Sequence, residues 1–330
     1  MTGAFLSNLS SPPLLFFFLG LLAVLVRSDL DIPGQIARFL SLYLLFAIGF
    51  KGGAALAASS LDGAVWLSLG LAMLLSALVP LYSYFVLRRR FAVADAAAIA
   101  ATYGSVSAVT FITATSFLDA QGVAWSGYLV AAMALMESPA IIVGMLLYSR
   151  FRATGDANRT MRWGTLLHEA CFNGSVFLIL GSMAIGWITG PAGKAQVSAV
   201  IEAPFIGILC LFLLDMGIVA GRRLRDLKAQ GPSAARLPLP TMIVVALVLP
   251  LVNGGLALAA GAGLGLPAGD LMLLTVLAAS ASYIAVPAAM RLALPEANPS
   301  TYLAMSLAIT FPFNILFGIP LYHQLASWLS

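Results

Sequence analysis

Two stretches decide the fold: Ala101–Thr110, with the sequence ATYGSVSAVT, and Ala278–Pro287, with the sequence AASASYIAVP. Each places a glycine or a proline beside a cluster of hydroxyl side chains in the middle of an apolar run. Inside a membrane, an unwound backbone is tolerated only where protein or a wet cavity surrounds it. The alternative is a continuous helix in which the hydroxyls bond to carbonyl groups one turn earlier. We expect both helices to be broken at these stretches.

The rest of the chain is apolar enough for a membrane protein. Of its 330 residues 61% are hydrophobic and 9% are charged, against roughly 25% charged in an average soluble domain. A transmembrane helix needs roughly 20 apolar residues, and the chain offers ten such runs. The first is expected to be a retained helix and not a cleaved signal peptide. We predict an all-α polytopic membrane protein with helices near 11–27, 35–58, 63–87, 94–118, 123–149, 163–189, 196–221, 239–263, 270–292 and 300–326.

The basic residues predict the orientation. If the N-terminus is outside, fifteen of the 17 basic residues fall in inner loops or at inner helix ends, as the positive-inside rule requires. Both termini are then outside, and the central linker is cytoplasmic. The same residues are spread over five short loops, which excludes a basic patch for nucleic acid. The inner residues are Arg27, Arg38, Arg88, Arg89, Arg90, Arg150, Arg152, Arg159, Arg162, Arg222, Arg223, Arg225, Lys228, Arg236 and Arg291.

Five predicted helices precede the polar linker, so a second set of five would run in the opposite direction. We therefore predict a first repeat at 1–150, a linker at 151–162 and an inverted repeat at 163–330. Three helix pairs align in the same order. Helices four and nine align over the two opening stretches. The other matches place Gly49 on Gly217, Gly53 on Gly221, Tyr128 on Tyr302, and Pro139 within one residue of Pro312. For Gly49 and Gly53 we expect mainly close helix packing.

Broken helices at matching positions of inverted halves indicate a substrate site near the membrane midplane of a secondary transporter. The positive end of a half-helix and its free N–H groups attract an anion without a buried Lys or Arg. The freed carbonyl groups and hydroxyls suit sodium. Glu137, beside Pro139, could bind sodium or carry a proton. The sequence has neither a nucleotide-binding loop nor a catalytic or metal-binding set of residues. We therefore expect an ion-driven transporter and not an enzyme.

Other ionisable residues inside apolar runs are also functional candidates. Asp215 lies about two turns from Arg222, so an interfacial ionic role and a transport role both stay open. Glu169 is a further candidate. Glu202 is expected to be wetted near the outer end of helix seven.

Four motifs resemble the sodium-dependent bicarbonate transporter family: Ile48–Gly53 (IGFKGG), Gly104–Ser107 (GSVS), Met136–Ala140 (MESPA) and Pro295–Ser300 (PEANPS). The resemblance covers nearly the whole chain and implies two inverted five-helix repeats divided into a core and a gate domain. It also implies a homotrimer in a bacterial inner membrane and inhibition by a PII-like partner. Sodium would be the coupling ion, and no other cofactor is implied.

By this resemblance, bicarbonate would lie between the breaks of helices four and nine. Its contacts would be Gly104, Ser105, Ser107, Ala281 and Ser282, and sodium would lie near Thr110, Glu137, Ser280 and Asn314. The chain departs from the family at Ser280–Pro287 (SASYIAVP), where cyanobacterial members carry SSSDISGP. Tyr283 stands in place of an acidic residue, and one hydroxyl is missing.

Three functions follow from these observations. The first is sodium-coupled symport of bicarbonate by alternating access. The second keeps the fold but carries another small carboxylate, with sodium or proton coupling. The third is a membrane ion sensor or scaffold that transports nothing.

Overall fold

The structure is a computed structural model that describes residues 11–58, 62–152, 164, 168, 172, 174–229, 239–294 and 296–330. The predicted linker lies outside the described residues from 153 onward, as does most of the predicted start of helix six. Within the described ranges the regular segments are helical. They are α1 (Pro12–Leu25), α2 (Gly34–Ala57), α3 (Gly63–Leu87), α4 (Val93–Gly104), α5 (Ala108–Gln121), α6 (Tyr128–Leu135), α7 (Glu137–Phe151), α8 (Gly174–Ile201), α9 (Phe205–Ala229), α10 (Leu239–Gly263), α11 (Ala268–Ala279), α12 (Ala285–Ala293), α13 (Pro299–Leu303), α14 (Phe311–Phe313) and α15 (Ile319–Leu329), with π-helical turns at Ala304–Thr310 and Asn314–Gly318.

Among the described residues, eight helical segments are long and apolar enough to cross a membrane. Some are joined from shorter helices, such as Val93–Gln121 and Pro299–Leu329. Two further apolar helices, α1 and α11, are shorter and overlap predicted helices one and nine. The prediction of an all-helical, multi-pass membrane protein is confirmed. The count of ten spans stays a prediction.

Both predicted breaks are present. The first broken helix consists of α4 and α5, which are separated at 105–107, and the second consists of α11 and α12, which are separated at 280–284. The first halves, α4 and α11, have 12 residues each. They end in the same extended geometry, with φ −88° and ψ −177° at Ser105 and φ −85° and ψ 173° at Ser280. In the structure, Ser105 therefore corresponds to Ser280. The sequence alignment pairs Ser105 with Ser282, so it is shifted by two residues.

Glycines allow two helix pairs to pack closely. α1 packs along α9, and α2 packs along α8. A Cβ atom added to Gly49 would lie 2.8 Å from the Ile179 carbonyl oxygen, and one added to Gly53 would overlap the Met183 backbone. On the other pair, a Cβ atom added to Gly217 would overlap the Phe17 backbone. The packing role expected of Gly49 and Gly53 is confirmed.

The predicted end of helix six is close to the observed one, but the predicted start of helix seven is wrong. Helical geometry stops at Gly190, which has φ 57° and ψ −151°, one residue after the predicted end at 189. A second helical stretch then follows within α8 up to Ile201, and α9 begins at Phe205 instead of 196. A proline has no N–H to donate to a carbonyl oxygen of the preceding turn, but the backbone can resume helical geometry after it.

Candidate functional site

The two breaks lie against each other in the interior of the protein. The Ser107 amide donates a hydrogen bond to Ser280 Oγ at 2.8 Å. The Ser282 amide donates one to the Thr102 carbonyl oxygen at 2.9 Å. All four residues are buried. The structure thus brings together the two stretches that the sequence singled out, and each break supplies donors and acceptors to the other.

Two asparagines bind the carbonyl ends of the half-helices, which have no partner within the helix. Asn253 Nδ2, from α10, donates to the Tyr103 carbonyl oxygen at 3.1 Å. Asn314 Nδ2 donates to the Ala279 carbonyl oxygen at 2.8 Å. Asn314 was a predicted sodium ligand, whereas the sequence analysis missed Asn253. A buried amide in an apolar helix of 25 residues was the available signal, because polar groups inside membrane spans are costly.

The amino-terminal ends of the second halves differ in their capping. Ser107 caps α5, and its Oγ accepts hydrogen bonds from the Thr110 amide at 3.1 Å and from Thr110 Oγ1 at 2.9 Å. α12 begins after Ile284, whose side chain makes no capping bond. Ser282 Oγ accepts from the Val286 amide at a longer distance of 3.3 Å. The first N–H groups of α12 are therefore less satisfied by the protein than those of α5.

A cavity of about 30 Å³ lies beside these ends. Since about 10–15 Å³ is enough for one water molecule, it suits a small solute. Three of the predicted site residues line it, namely Ser107, Glu137 and Ser282. Its described lining contains no Lys or Arg. The other lining residues are Ser41, Leu44, Leu45, Val106, Ala108, Val109, Ile112, Met133, Ser175, Ile179, Phe212, Tyr283 and Ile284.

The cavity lining includes the amino-terminal ends of both second halves. Residues 106–109 and 282–284 contribute to it, which brings the start of α5 and the start of α12 to one space. Helix amino-termini carry partial positive charge and unpaired N–H groups. Together with the two serine hydroxyls, this arrangement can bind a small oxyanion.

Six predicted site residues are not on the cavity wall: Gly104, Ser105, Thr110, Ser280, Ala281 and Asn314. Gly104 faces α3, where an added Cβ would lie 2.3 Å from Pro80 Cγ. Ser105 Oγ and Asn314 Oδ1 are buried, and neither oxygen has a hydrogen-bond partner among the described residues. Unpaired buried oxygens near helix carbonyl ends are the kind of ligand that a sodium ion uses.

Tyr283, the residue that departs from the family sequence, belongs to the cavity wall. Its ring packs edge-on against Phe311 with the centroids 5.6 Å apart. Its hydroxyl is buried and lies toward Ser107, without meeting hydrogen-bond geometry to any described residue. The tyrosine thus brings a neutral polar group to the cavity wall.

A larger vestibule of about 420 Å³ adjoins the cavity. The two spaces share Ser41, Ser175, Phe212 and Ile284, so these residues lie at the boundary between them. The vestibule is also lined by Ala37, Arg38, Leu42, Gly174, Asp215, Met216, Ala285 and Ala288.

Two buried aspartates hold the loops that precede the next helices. Asp95, in the first turn of α4, accepts a hydrogen bond from the Asn298 amide at 2.7 Å. Asp270, in the first turn of α11, accepts one from the Ser126 amide at 2.7 Å. The sequence analysis missed both. Asn298, from the Pro295–Ser300 motif, also caps α13 through the Ser300 amide.

The remaining ionisable candidates are placed as follows. Arg222 pairs with Asp31 at 2.9 Å and not with Asp215, which is buried. Glu202 is partly exposed, as expected, and pairs with Lys194 at 3.1 Å. Glu169 lies outside the described residues.

The comparison with known families gives one result. The profile of the Na+-dependent bicarbonate transporter superfamily matches residues 12–327, nearly the whole chain. No curated protein matches the chain significantly. The chain therefore belongs to the Na+-dependent bicarbonate transporter superfamily.

Proposed function

We propose that this member of the Na+-dependent bicarbonate transporter superfamily is a sodium-coupled bicarbonate symporter that works by alternating access. The observation that carries the proposal is the meeting of two half-helix amino-termini at one small cavity. A singly charged anion can bind there through amides and hydroxyls, without forming an ion pair. The size of the cavity favours an anion of a few atoms over a large organic acid.

In this proposal, bicarbonate and sodium bind to different residues at the two breaks. Ser107 and Ser282 contact bicarbonate, and Gly104, Ser105 and Ala281 shape the breaks around it. Sodium takes oxygen ligands from Thr110, Ser280 and Asn314, with Glu137 supplying negative charge. Binding of sodium favours the anion-loaded, mobile state through its differential affinity for that state.

The inverted repeat is part of the same proposal. It is supported by the exchange of partners between the two halves, since the first helix of each predicted repeat packs on the second helix of the other, α1 on α9 and α8 on α2. It is also supported by Asp95 and Asp270, which lie at the same position of α4 and α11. α1, α2, α8 and α9 would form the gate, and the broken helices would lie in the core.

The proposed membrane and the orientation of the protein in it follow from the positions of the arginines and from the family. The protein would lie in a bacterial inner membrane with both termini outside and the linker in the cytoplasm. A homotrimer and a PII-like regulatory partner are expected from the family resemblance alone.

Tyr283 favours a second candidate, a carrier of another small carboxylate. It removes a negative charge that family members have near the site, and the amide cradle fits any planar oxyanion. Coupling to protons through Glu137 would suit this candidate.

Uptake by proteoliposomes tests the proposal. Labelled bicarbonate should accumulate when a sodium gradient points inward and should not accumulate with potassium in place of sodium. Uptake of labelled acetate or formate without bicarbonate uptake would support the second candidate. A protein that moves none of these anions in either gradient would be the non-transporting sensor or scaffold.

A further inference from the structure

The vestibule contains a buried carboxylate that the proposed anion site does not use. Asp215, in α9, is 6% exposed and lies on the vestibule wall. None of the hydrogen bonds or ion pairs found among the described residues uses its carboxylate. Arg222, the nearby arginine on the same helix, is engaged by Asp31 instead. An ionisable side chain inside a membrane span is costly, so it indicates a function when no partner explains it.

Oxygen ligands from three helices face the same space. Asp215 belongs to α9, Ser41 to α2 and Ser175 to α8, and all three line the vestibule. Carboxylate and hydroxyl oxygens are ligands that hard cations prefer. Arg38, the one cationic residue on the described wall, has an exposed side chain and forms no ion pair with Asp215.

We propose that Asp215, together with Ser41 and Ser175, binds a sodium ion in the vestibule. This site is separate from the sodium ligands proposed at the breaks, because it is built from α2, α8 and α9. It deepens the proposed transport function and rests on it in one respect, the identity of the passing anion. Ser41 and Ser175 also line the anion cavity, so the sodium ion would lie beside the anion's route.

The physical reason for such a site is charge repulsion. An unpaired carboxylate on the vestibule wall would repel an anion that passes between the vestibule and the cavity, and the repulsion is strong where the surroundings are poorly hydrated. A sodium ion on Asp215 removes this barrier. Sodium and the anion could then pass between the two spaces together.

Counting bound sodium tests the site without transport. The purified protein in lipid nanodiscs would be equilibrated with radioactive sodium, as wild type, as Asp215→Asn and as Glu202→Gln. Glu202 is the control, since it is an exposed carboxylate in a surface ion pair with Lys194 and does not engage the arginine beside Asp215. We expect Asp215→Asn to lose one bound sodium ion per chain, whereas Glu202→Gln keeps the wild-type count.

An unchanged count in Asp215→Asn would overturn the proposal, and so would an equal loss in both variants. If Asp215 binds a proton and not sodium, its replacement would leave the sodium count unchanged, and the proposal would be wrong. If Asp215→Asn does not fold, Ser41→Ala gives the same test, since it should weaken one class of sodium site several-fold. Failure of wild-type bicarbonate uptake would refute the proposed bicarbonate symport, but it would leave this count as it is.

Discussion

The two broken helices are alike in their first halves and different at their breaks. α4 and α11 share their length, their end geometry and an aspartate in the first turn. The break at 105–107 is shorter than the break at 280–284. The start of α5 is capped by Ser107, whereas the start of α12 has no side-chain cap at Ile284. We infer that the first break mainly fixes the shape of the site and that the second break offers more of its N–H groups to the anion.

The packing around the breaks shows the same division. At the first break, the small residue is on the broken helix, since Gly104 faces Pro80 of α3. At the second break, the small residue is on the neighbour, since Gly254 of α10 faces Ala279. The same close approach is thus reached with the glycine on opposite sides. The first break should therefore be the less tolerant of added volume on its own chain.

The largest effect is expected for Gly104→Ala. The new Cβ would lie 2.3 Å from Pro80 Cγ and 2.4 Å from Pro80 Cδ, and a proline ring cannot rotate away. Overpacking of this kind costs about 1–3 kcal/mol, and here it also displaces Ser105–Ser107. We expect lower thermal stability and loss of most anion uptake. Gly255→Ala is the control, because nothing lies within 4 Å of its added Cβ. Equal behaviour of the two variants would contradict the shaping role of the first break.

The next largest effect tests whether α4 and α11 are held in place in the same way. Asp95→Ala and Asp270→Ala should each lower the free energy of unfolding by about 1.5–3 kcal/mol, since each leaves a backbone amide without its charged partner. Asp31→Ala should cost about 0–1 kcal/mol, because it breaks only an exposed ion pair. Thermal unfolding of the purified variants measures all three. A large loss at only one of the two buried aspartates would show that the halves are not held alike.

The breaks themselves could be predicted because their signal is local. Ser105 and Ser107 beside Gly104, and Ser280 and Ser282 before Pro287, form their patterns within a few residues. The anchoring groups could not be predicted in this way. Asn253 binds a carbonyl group 150 positions away, and Asp95 binds an amide 203 positions away. The residues around Asn253 and Asp95 contain no sign of the distant backbone groups that these side chains bind.

The error at helix seven has a similar cause. Gly190 and Pro191 form a local pattern that is typical of a helix end, and helical geometry does stop there, but a further helical stretch follows up to Ile201 before α9 begins. Gly104 also illustrates the limit: its role as an anion contact stays a prediction, and the structure adds that it leaves room for Pro80 of α3. Whether a glycine serves a ligand or a neighbouring helix depends on tertiary contacts.

A third prediction compares the two asparagines. Asn253→Leu removes an amide that accepts from the Tyr82 hydroxyl and donates to the Tyr103 carbonyl. Asn314→Leu removes one donated bond, and the Asn314 Oδ1 atom has no hydrogen-bond partner among the described residues. Each buried group left unpaired costs about 1–3 kcal/mol, so Asn253→Leu should be the more destabilising. Asn314→Leu should instead raise the sodium concentration needed for half-maximal uptake. The opposite ranking in the two assays would exclude a sodium ligand at Asn314.

The smallest expected effect on stability is the difference between replacing Ser107 and replacing Ser282. Ser107→Ala removes the cap of α5, which costs about 0.5–2 kcal/mol, whereas Ser282→Ala loses only the 3.3 Å bond to the Val286 amide. We therefore expect Ser107→Ala to unfold at a lower temperature than Ser282→Ala. Anion uptake should show the reverse order, with the larger rise in KM in Ser282→Ala, because its hydroxyl lies at the less satisfied helix end. If Ser107→Ala raises KM more than Ser282→Ala does, the anion is held mainly by the first break, and the division of roles between the two broken helices is wrong.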